Sequence, residues 1–258
     1  MAGTVGVVHT LLPAAVLWDM DGTLVDTEPD WIATERALVI SHGGTWTDED
    51  SKKLVGSALI EAGEYIRVRG GLPMTAEQVV ETMVERIVER LKDSITWRPG
   101  ARELLTDLRR HQVPCALVTM SYRSLADIVV SALPPDTFGA VITGDEVVNG
   151  KPHPEPYLRA AHELGADITG CIVIEDSTTG ARAGMAAGAR VVAAPNVVDV
   201  KVPGVPVVPT LVGMQTTDLV QIADQSSPVA LTSRQMSEPD RGHSVQMASD
   251  RTSRPYLG

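Results

Sequence analysis

The chain has 258 residues, a formal net charge of −11 and 43% hydrophobic residues, which is typical of a folded globular protein. This balance excludes a collagen-like chain, a coiled coil and a chain disordered throughout. The acidic excess argues against nucleic-acid and anionic-membrane partners, because both attract basic surfaces. A locally positive site on such a protein can still bind a small anion. No apolar stretch reaches the ~20 residues of a membrane span.

Both cysteines lie in apolar runs that are typical of buried strands. Cys115 and Cys171 do not form a C-x-x-C pair, so the sequence predicts reduced thiols and no zinc site. The apolar start, residues 5–18, lacks the basic segment of a signal peptide. We therefore expect a cytoplasmic protein that is a monomer or a small homo-oligomer.

Short apolar runs alternate with helical patterns along most of the chain. The predicted strands cover residues 14–18, 113–119, 140–143, 170–174 and 189–193, and the predicted helices between them cover 99–111, 125–133, 154–164 and 178–187. Runs that are apolar at every position indicate strands buried on both faces. The sequence thus predicts an α/β fold, a Rossmann-like parallel sheet with helices on both faces.

One segment interrupts this alternation. Residues 28–95 show no convincing strand, and the apolar spacing predicts helices over 31–42, 48–55, 57–69 and 75–93. An insertion after the first strand lies over the ligand crevice of a parallel sheet. We therefore predict a helical cap at 28–95, a core formed by 1–27 and 96–224, and a disordered tail at 225–258.

The polar residues that carry chemistry follow the predicted strands. Asp19 and Asp21 come directly after the first strand, with Gly22 next to them. Two neighbouring carboxylates after a buried strand are costly unless a cation offsets their repulsion, and carboxylate oxygens suit Mg²⁺. A surface Asp-Gly turn is the simpler alternative.

Three further segments also place polar or charged residues at or near the ends of predicted strands. Thr119 ends the second strand, Lys151 stands between a glycine and a proline, and Glu175 and Asp176 end another apolar run. Each also has a simpler explanation: a helix cap for Thr119 and for Asp176, and a solvated loop residue for Lys151. Taken together, the carboxylates, hydroxyl and lysine suit phosphoryl transfer through an aspartyl-phosphate.

These segments resemble the haloacid dehalogenase-like superfamily. The resemblance rests on Asp19-Met20-Asp21-Gly22-Thr23-Leu24-Val25-Asp26-Thr27-Glu28, on Gly150-Lys151-Pro152-x-Pro154-x-Pro156-Tyr157 and on Glu175-Asp176-Ser177-x-x-Gly180. The resemblance covers residues 14–224. Within the superfamily, the chain resembles the branch with a helical cap, which includes phosphoglycolate phosphatase-like and β-phosphoglucomutase-like proteins.

The resemblance implies a role for each of these residues. Asp19 would be the nucleophile, and Asp21 the general acid and base. The metal site would hold Mg²⁺ through Asp19, the backbone carbonyl of Asp21 and Asp176, with Glu175 in support. Thr119 and Lys151 would bind the phosphoryl oxygens, and Gly22 would contribute through its backbone. The implied reaction is the hydrolysis of a small phosphorylated metabolite.

The chain departs from the pattern of the resembled branch in two places. Met120 stands where the second motif often carries asparagine. The cap segments also lack the arginine and histidine that sugar-phosphate mutases of this branch carry at the matching places. A phosphatase is therefore the leading prediction, with a mutase as the alternative and a non-catalytic binding protein as a third hypothesis. Substrate choice is expected to depend on the cap near Trp31 and residues 53–61.

Overall fold

The computed structural model describes residues 12–54 and 57–225. Within them the strands form a five-stranded parallel sheet in the order β3-β2-β1-β4-β5. The strands are β1 (Val16–Trp18), β2 (Cys115–Val118), β3 (Ala140–Ile142), β4 (Ile172–Glu175) and β5 (Arg190–Ala193). β1 is central, because Leu17 is paired with Ala116 on one side and with Val173 on the other. The predicted parallel sheet is confirmed.

Helices cover both faces of this sheet. They are α1 (Glu28–Ser41), α2 (Asp48–Lys52), α3 (Leu59–Gly70), α4 (Ala76–Asp93), α5 (Ala101–Arg110), α6 (Arg123–Ser131), α7 (Glu155–Glu163), α8 (Thr178–Ala187) and α9 (Thr216–Ala223). Val16 and Trp18 of β1 pack with α5, α6 and α9, whereas Leu17 packs with α7 and α8. Successive strand residues therefore enter opposite hydrophobic layers, which explains the uninterrupted apolar runs.

The element bounds differ from the predicted ones in instructive ways. The helix predicted to begin at residue 31 begins at Glu28, because Pro29 is accommodated in the first turn. The strand predicted at 113–119 is limited to Cys115–Val118. Helix α9 was not predicted. It begins with a capping box between Gln215 and Asp218 and buries Leu219 against the sheet.

Helices α1 to α4 follow β1 and share a small hydrophobic core of their own. Leu38, Trp46, Ile66, Val79 and Met83 are among its members. Helix α4 begins with a capping box of Thr75 and Gln78, and its buried side chains, which include Val80, Ile87 and Leu91, recur at helical spacing.

The two chain segments that connect these helices to the sheet lie side by side. Val25 pairs with Trp97 in an antiparallel bridge, and the Asp26 N–H donates to the Thr96 carbonyl at 2.8 Å. Asn196 donates to the Asp26 carboxylate at 2.9 Å and accepts from Arg98 at 2.7 Å. The entry and the exit of the inserted helices are thus tied to each other and to the loop after β5.

Both cysteines are free and buried in the structure. Burial raises the pKa of Cys115 to about 12 and that of Cys171 to about 11, so both remain protonated thiols.

Among the described helices, none is long and apolar enough to span a membrane. The predicted tail lies outside the described residues except for Gln225.

Candidate active site

Asp19 lies at the carboxyl end of the central strand. Its backbone N–H donates to the Ile174 carbonyl at 3.0 Å, so pairing between β1 and β4 fixes its position. The side chain is buried, and Oδ1 accepts a hydrogen bond from Lys151 at 2.7 Å. The other oxygen, Oδ2, is buried and has no partner among the described residues. One carboxylate oxygen is thus held while the other is left available.

Lys151 is buried beside Asp19 and is not a solvated loop lysine, so that alternative is wrong. Its Nζ donates to Asp19 Oδ1, to the Val118 carbonyl at 2.9 Å and to Glu175 Oε1 at 2.6 Å. Burial by itself would lower the pKa of Lys151, but Asp19 and Glu175 raise it above its usual value. Lys151 therefore remains a fixed positive charge at the end of β1.

Glu175 lies behind this lysine and is fully buried. Its Oε1 accepts hydrogen bonds from Lys151 and from the Tyr157 hydroxyl, each at 2.6 Å. Its Oε2 accepts one from the Ser177 hydroxyl at 2.9 Å. Both oxygens are therefore occupied, and the position of Glu175 suits the support of Lys151 better than direct contact with a metal ion. Its predicted support of the metal remains a prediction.

Asp21 is oriented by three hydroxyl groups. Thr27 donates to Oδ1 at 2.7 Å, while Thr119 and Ser121 donate to Oδ2 at 3.0 and 2.8 Å. Thr119 is not the cap of the next helix, because α6 begins at Arg123. The structure thus brings Thr119 into the site, where its hydroxyl contacts Asp21. Its predicted contact with a phosphoryl group remains a prediction.

Asp176 and Gly22 complete the edge of the site. Asp176 is buried, and oxygens of Asp19, Glu175 and Asp176 all lie within 4.8 Å of one another. Gly22 has a φ of +82°, and a Cβ on it would lie 1.9 Å from Asp176 Oδ2. The Gly22 N–H already donates to the Val25 carbonyl at 2.8 Å. The absence of a Cβ on Gly22 therefore makes room for Asp176. The predicted backbone contact of Gly22 with the phosphoryl group would compete with the hydrogen bond to Val25, and it remains a prediction.

The buried carboxylates fit a divalent cation. Burial, reinforced by the negative charge of Glu175, raises the pKa of Asp19 to about 7. Burial, Asp19 and Glu175 raise the pKa of Asp176 well above its usual value. Lys151 supplies one positive charge to this cluster of three carboxylates. Mg²⁺ prefers oxygen ligands, and the oxygens of Asp19, Glu175 and Asp176 lie close enough together to surround such an ion.

Met120 contacts the loop that carries Lys151. Its Sδ accepts the Lys151 backbone N–H at 3.2 Å. A Cβ on Gly150 would lie 2.8 Å from the same sulfur. The thioether thus takes up the space beside a glycine and helps to position the lysine, which gives the departure at Met120 a physical explanation.

A cavity of about 120 Å³ joins this edge of the sheet to the inserted helices. Asp19, Asp21, Thr119, Lys151 and Asp176 line it from the sheet. From the inserted helices and their loops, the lining includes Glu28, Trp31, Glu35, Ser51, Leu54, Ser57, Leu59, Ala62, Gly63, Val80 and Met83. Trp31 and part of residues 53–61 therefore line the cavity, close to where substrate selection was expected.

The fold and this edge define an α/β protein with a carboxylate-lysine centre at the carboxyl ends of its strands, where open parallel sheets bind ligands. The profile of one family, described as Haloacid dehalogenase-like hydrolase, matches residues 16–194. The chain belongs to the haloacid dehalogenase-like hydrolase family, and the predicted resemblance is confirmed.

Curated relatives include several phosphatases. A bifunctional riboflavin kinase/FMN phosphatase of Arabidopsis thaliana is 34% identical over 72% of this chain and 49% of its own length. This chain therefore spans about half of that longer protein. A phosphorylated carbohydrates phosphatase of Thermotoga maritima is 30% identical over 67% of this chain and 81% of its own. Hexitol phosphatase A of Escherichia coli is 31% identical over 69% and 81%.

Solved structures confirm the fold. A β-phosphoglucomutase from Clostridium difficile has a TM-score of 0.73 at 21% identity, covering 83% of this chain and 98% of its own. CbbY from Rhodobacter sphaeroides, solved with phosphate, has a TM-score of 0.69 at 23% identity, covering 78% and 96%. At these identities the likeness shows the fold alone.

Several site residues were missed or only partly interpreted from the sequence. Tyr157 was quoted within a motif, but its contact with Glu175 was not predicted. Thr27 and Ser121 were not predicted to hold Asp21, although both lie within or next to the motifs. Glu35 carries no motif signal, and only its position seven residues after Glu28 on α1 could have placed both on one helix face.

Proposed function

We propose that this protein is a Mg²⁺-dependent phosphatase that hydrolyses a small phosphate monoester through an aspartyl-phosphate on Asp19. It is a phosphoric monoester hydrolase of the haloacid dehalogenase-like family. The observation that carries the proposal is the unpartnered Asp19 Oδ2, which is buried at the cavity while Lys151 holds the other oxygen. The phosphatases among the relatives support the same reaction class.

In the first half of the reaction, Asp19 Oδ2 attacks phosphorus and the bond to the ester oxygen breaks. The Asp21 carboxyl group donates its proton to the departing oxygen, so the alcohol leaves neutral. Lys151 stabilises negative charge on the phosphoryl oxygens. Thr27, Thr119 and Ser121 hold the Asp21 carboxyl group in one orientation for this transfer.

In the second half, water attacks the phosphorus of the aspartyl-phosphate. Asp21, now a carboxylate, takes a proton from that water, and the bond from phosphorus to Asp19 Oδ2 breaks. Inorganic phosphate leaves, and Asp21 is again protonated for the next turnover. One carboxyl group thus serves as acid and then as base.

The residues present fit Mg²⁺ at the end of β1. Asp19, Asp176 and the backbone carbonyl of Asp21 would hold it, with Glu175 in support through Lys151. When bound, the ion supplies positive charge that offsets repulsion between the carboxylates and the incoming phosphate. The buried carboxylates of Asp19 and Asp176, which have oxygens within 4.8 Å of each other, support this assignment.

We further propose that residues 28–95 act as a cap that closes over the site while the aspartyl-phosphate exists. The paired segments at Asp26 and Thr96 support two adjacent hinges. Closure would exclude bulk water until a fitting substrate is bound.

Two buried, protonated thiols are compatible with a cytoplasmic monomer or small homo-oligomer.

The experiment that tests the function measures phosphate release from sugar phosphates, phosphoglycolate, nucleotides and p-nitrophenyl phosphate, with and without Mg²⁺. Asp19→Asn is assayed beside the parent protein, together with glucose-6-phosphate formation from β-glucose-1-phosphate. Release that requires Mg²⁺ and is lost in Asp19→Asn supports the phosphatase. Isomerisation without release would identify a mutase, and inactivity in both assays would favour a binding protein.

A further inference from the structure

One face of helix α1 looks into the cavity. Glu28, Trp31 and Glu35 stand at positions i, i+3 and i+7, which fall on the same side of a helix, and all three line the cavity. Glu35 is buried and held by Ser51 at 2.5 Å and by the Trp46 indole at 3.2 Å. This face therefore presents two carboxylates on either side of an indole.

The charge of the cavity is one-sided. Among the described residues that line it, the cap side offers carboxylates, hydroxyls and apolar side chains, and no lysine or arginine. Lys151 is the cationic side chain among the described residues that line the cavity, and it already contacts Asp19 and Glu175. Asp19, nine-tenths buried with its Oδ2 unpartnered, lines the same cavity, and in the proposed reaction it receives the phosphoryl group. The alcohol part of a substrate then extends towards the cap side of the cavity, to which α1 contributes its two carboxylates and its indole.

Resting on the proposed function, we propose that the preferred substrate is a phosphate monoester whose alcohol part carries a protonated amine, such as an amino alcohol or amino sugar phosphate. An ammonium group beside α1 would be attracted by Glu28 and Glu35 and by the face of the Trp31 ring. A second phosphate or a carboxylate at that place would instead be repelled by the negative charge that Glu28 and Glu35 carry when they are ionised.

The state of Glu28 agrees with this assignment. Burial, together with the negative charges of Glu35, Asp21 and Asp26, raises the pKa of Glu28 to about 7. The carboxylate form is thus disfavoured while no cation is near, and an ammonium group would stabilise it. The acidic residues on this face of α1 also make it a poor place for the second phosphate of a bisphosphate. A mutase requires such a bisphosphate.

The test compares substrates that differ in one functional group and therefore in charge. O-phosphoethanolamine, 2-hydroxyethyl phosphate and phosphoglycolate are phosphate esters of two-carbon alcohols that end in an ammonium, a hydroxyl or a carboxylate group. Glucosamine-6-phosphate and glucose-6-phosphate form the sugar pair. In at least one of the two sets, we expect kcat/KM to be at least about tenfold higher for the ammonium ester than for the matching hydroxyl ester. Among the three two-carbon esters, we expect phosphoglycolate to be the poorest substrate.

The contribution of this face of α1 is measured as the ratio of kcat/KM between the ammonium ester and the uncharged hydroxyl ester of the same set. Glu28→Gln should reduce that ratio at least about threefold, and Trp31→Leu should also reduce it. Glu103→Gln, an exposed carboxylate on α5, should leave the ratio unchanged.

p-Nitrophenyl phosphate separates the two proposals. If the protein hydrolyses it with Mg²⁺ but shows no preference for the ammonium member in either pair, the amine inference is overturned and the phosphatase stands. A preference that persists in Glu28→Gln also overturns it. If no ester is hydrolysed, the proposed function itself has failed.

Discussion

Lys151 Nζ lies 2.7 Å from Asp19 Oδ1, although 132 positions separate the two residues in the chain. The lysine comes from the loop after β3 and contacts the ends of three other strands: β2 through the Val118 carbonyl, β1 through Asp19 and β4 through Glu175. Because the same contacts position the proposed nucleophile and join the strand ends, we expect both catalysis and stability to depend on this one side chain.

Removal of Lys151 should therefore weaken both properties. In Lys151→Ala, Asp19 and Glu175 lose their buried cation, and breaking a buried ion pair typically costs about 3–5 kcal/mol. The loss of a positive charge beside the phosphoryl group should lower kcat by about 100-fold or more. Chemical denaturation and single-turnover phosphate release measure the two effects.

Lys201→Ala is the matched control, since Lys201 pairs with Asp199 on the surface and both side chains are more than four-fifths exposed. It should change neither property measurably. A Lys151→Ala protein with unchanged unfolding free energy would contradict the role of the lysine in joining the strand ends.

Tyr157 is predicted to be a positioning residue for Lys151. Tyr157→Phe removes the 2.6 Å hydrogen bond to Glu175 and leaves a buried carboxylate short of one donor, which costs about 1.5–3 kcal/mol. Because Glu175 orients the lysine, kcat should fall about tenfold while KM changes little. Steady-state kinetics of the purified variant test this split.

The control for this change is Tyr65→Phe. The Tyr65 hydroxyl donates to Asp50 at 3.1 Å within the inserted helices, away from the reacting groups. Its loss should lower thermal stability and leave kcat unchanged. Equal falls in kcat for both tyrosine variants would show that general destabilisation, and not the position of Lys151, explains the effect.

The sequence was sufficient for the sheet and for the acidic ends of its strands, because buried parallel strands leave uninterrupted apolar runs and the motifs are local. It placed Asp19, Asp176 and Lys151 correctly at one edge. It could not show that Tyr157 occupies an oxygen of Glu175, since this contact joins residues 18 positions apart and depends on how α7 packs against the sheet and α8. Helix α9 was missed because its apolar positions are few and its start depends on the Gln215 cap.

Gly22 is predicted to be required for space rather than for flexibility alone. In Gly22→Ala the new Cβ would lie 1.9 Å from Asp176 Oδ2, so Asp176 must move. If Asp176 holds the metal ion as proposed, its displacement should raise the Mg²⁺ concentration for half-maximal activity by about 10- to 100-fold. Activity titrations with Mg²⁺ measure this shift.

Gly43→Ala separates backbone strain from displacement. Gly43 has nearly the same φ, +80°, but a Cβ on it meets nothing within 4 Å. Both variants carry the cost of a left-handed backbone, about 1–2 kcal/mol. The Mg²⁺ requirement should change in Gly22→Ala only. An unchanged requirement in Gly22→Ala would argue that Asp176 does not hold the metal ion.

Glu28 should make the stability of the protein fall between about pH 4.5 and pH 7. Its pKa is raised from 4.5 to about 7 by burial and by Glu35, Asp21 and Asp26. In that window the folded protein retains a proton that the unfolded chain has lost, so the free energy of unfolding decreases as pH rises and levels off above pH 7. Since Glu28 is partly exposed, solvent screening limits the effect to about 1–2 kcal/mol.

Glu28→Gln should remove this part of the pH dependence, because an amide does not ionise. Compared with the parent protein, the variant should gain stability at pH 7.5 relative to pH 4, and the measurement is urea denaturation at both pH values without Mg²⁺. Glu103→Gln, exposed on α5, should keep the parent profile. If Glu28→Gln retains the full decrease, the other buried carboxyl groups with raised pKa values, those of Glu35, Asp19 and Asp176, account for it and Glu28 does not contribute.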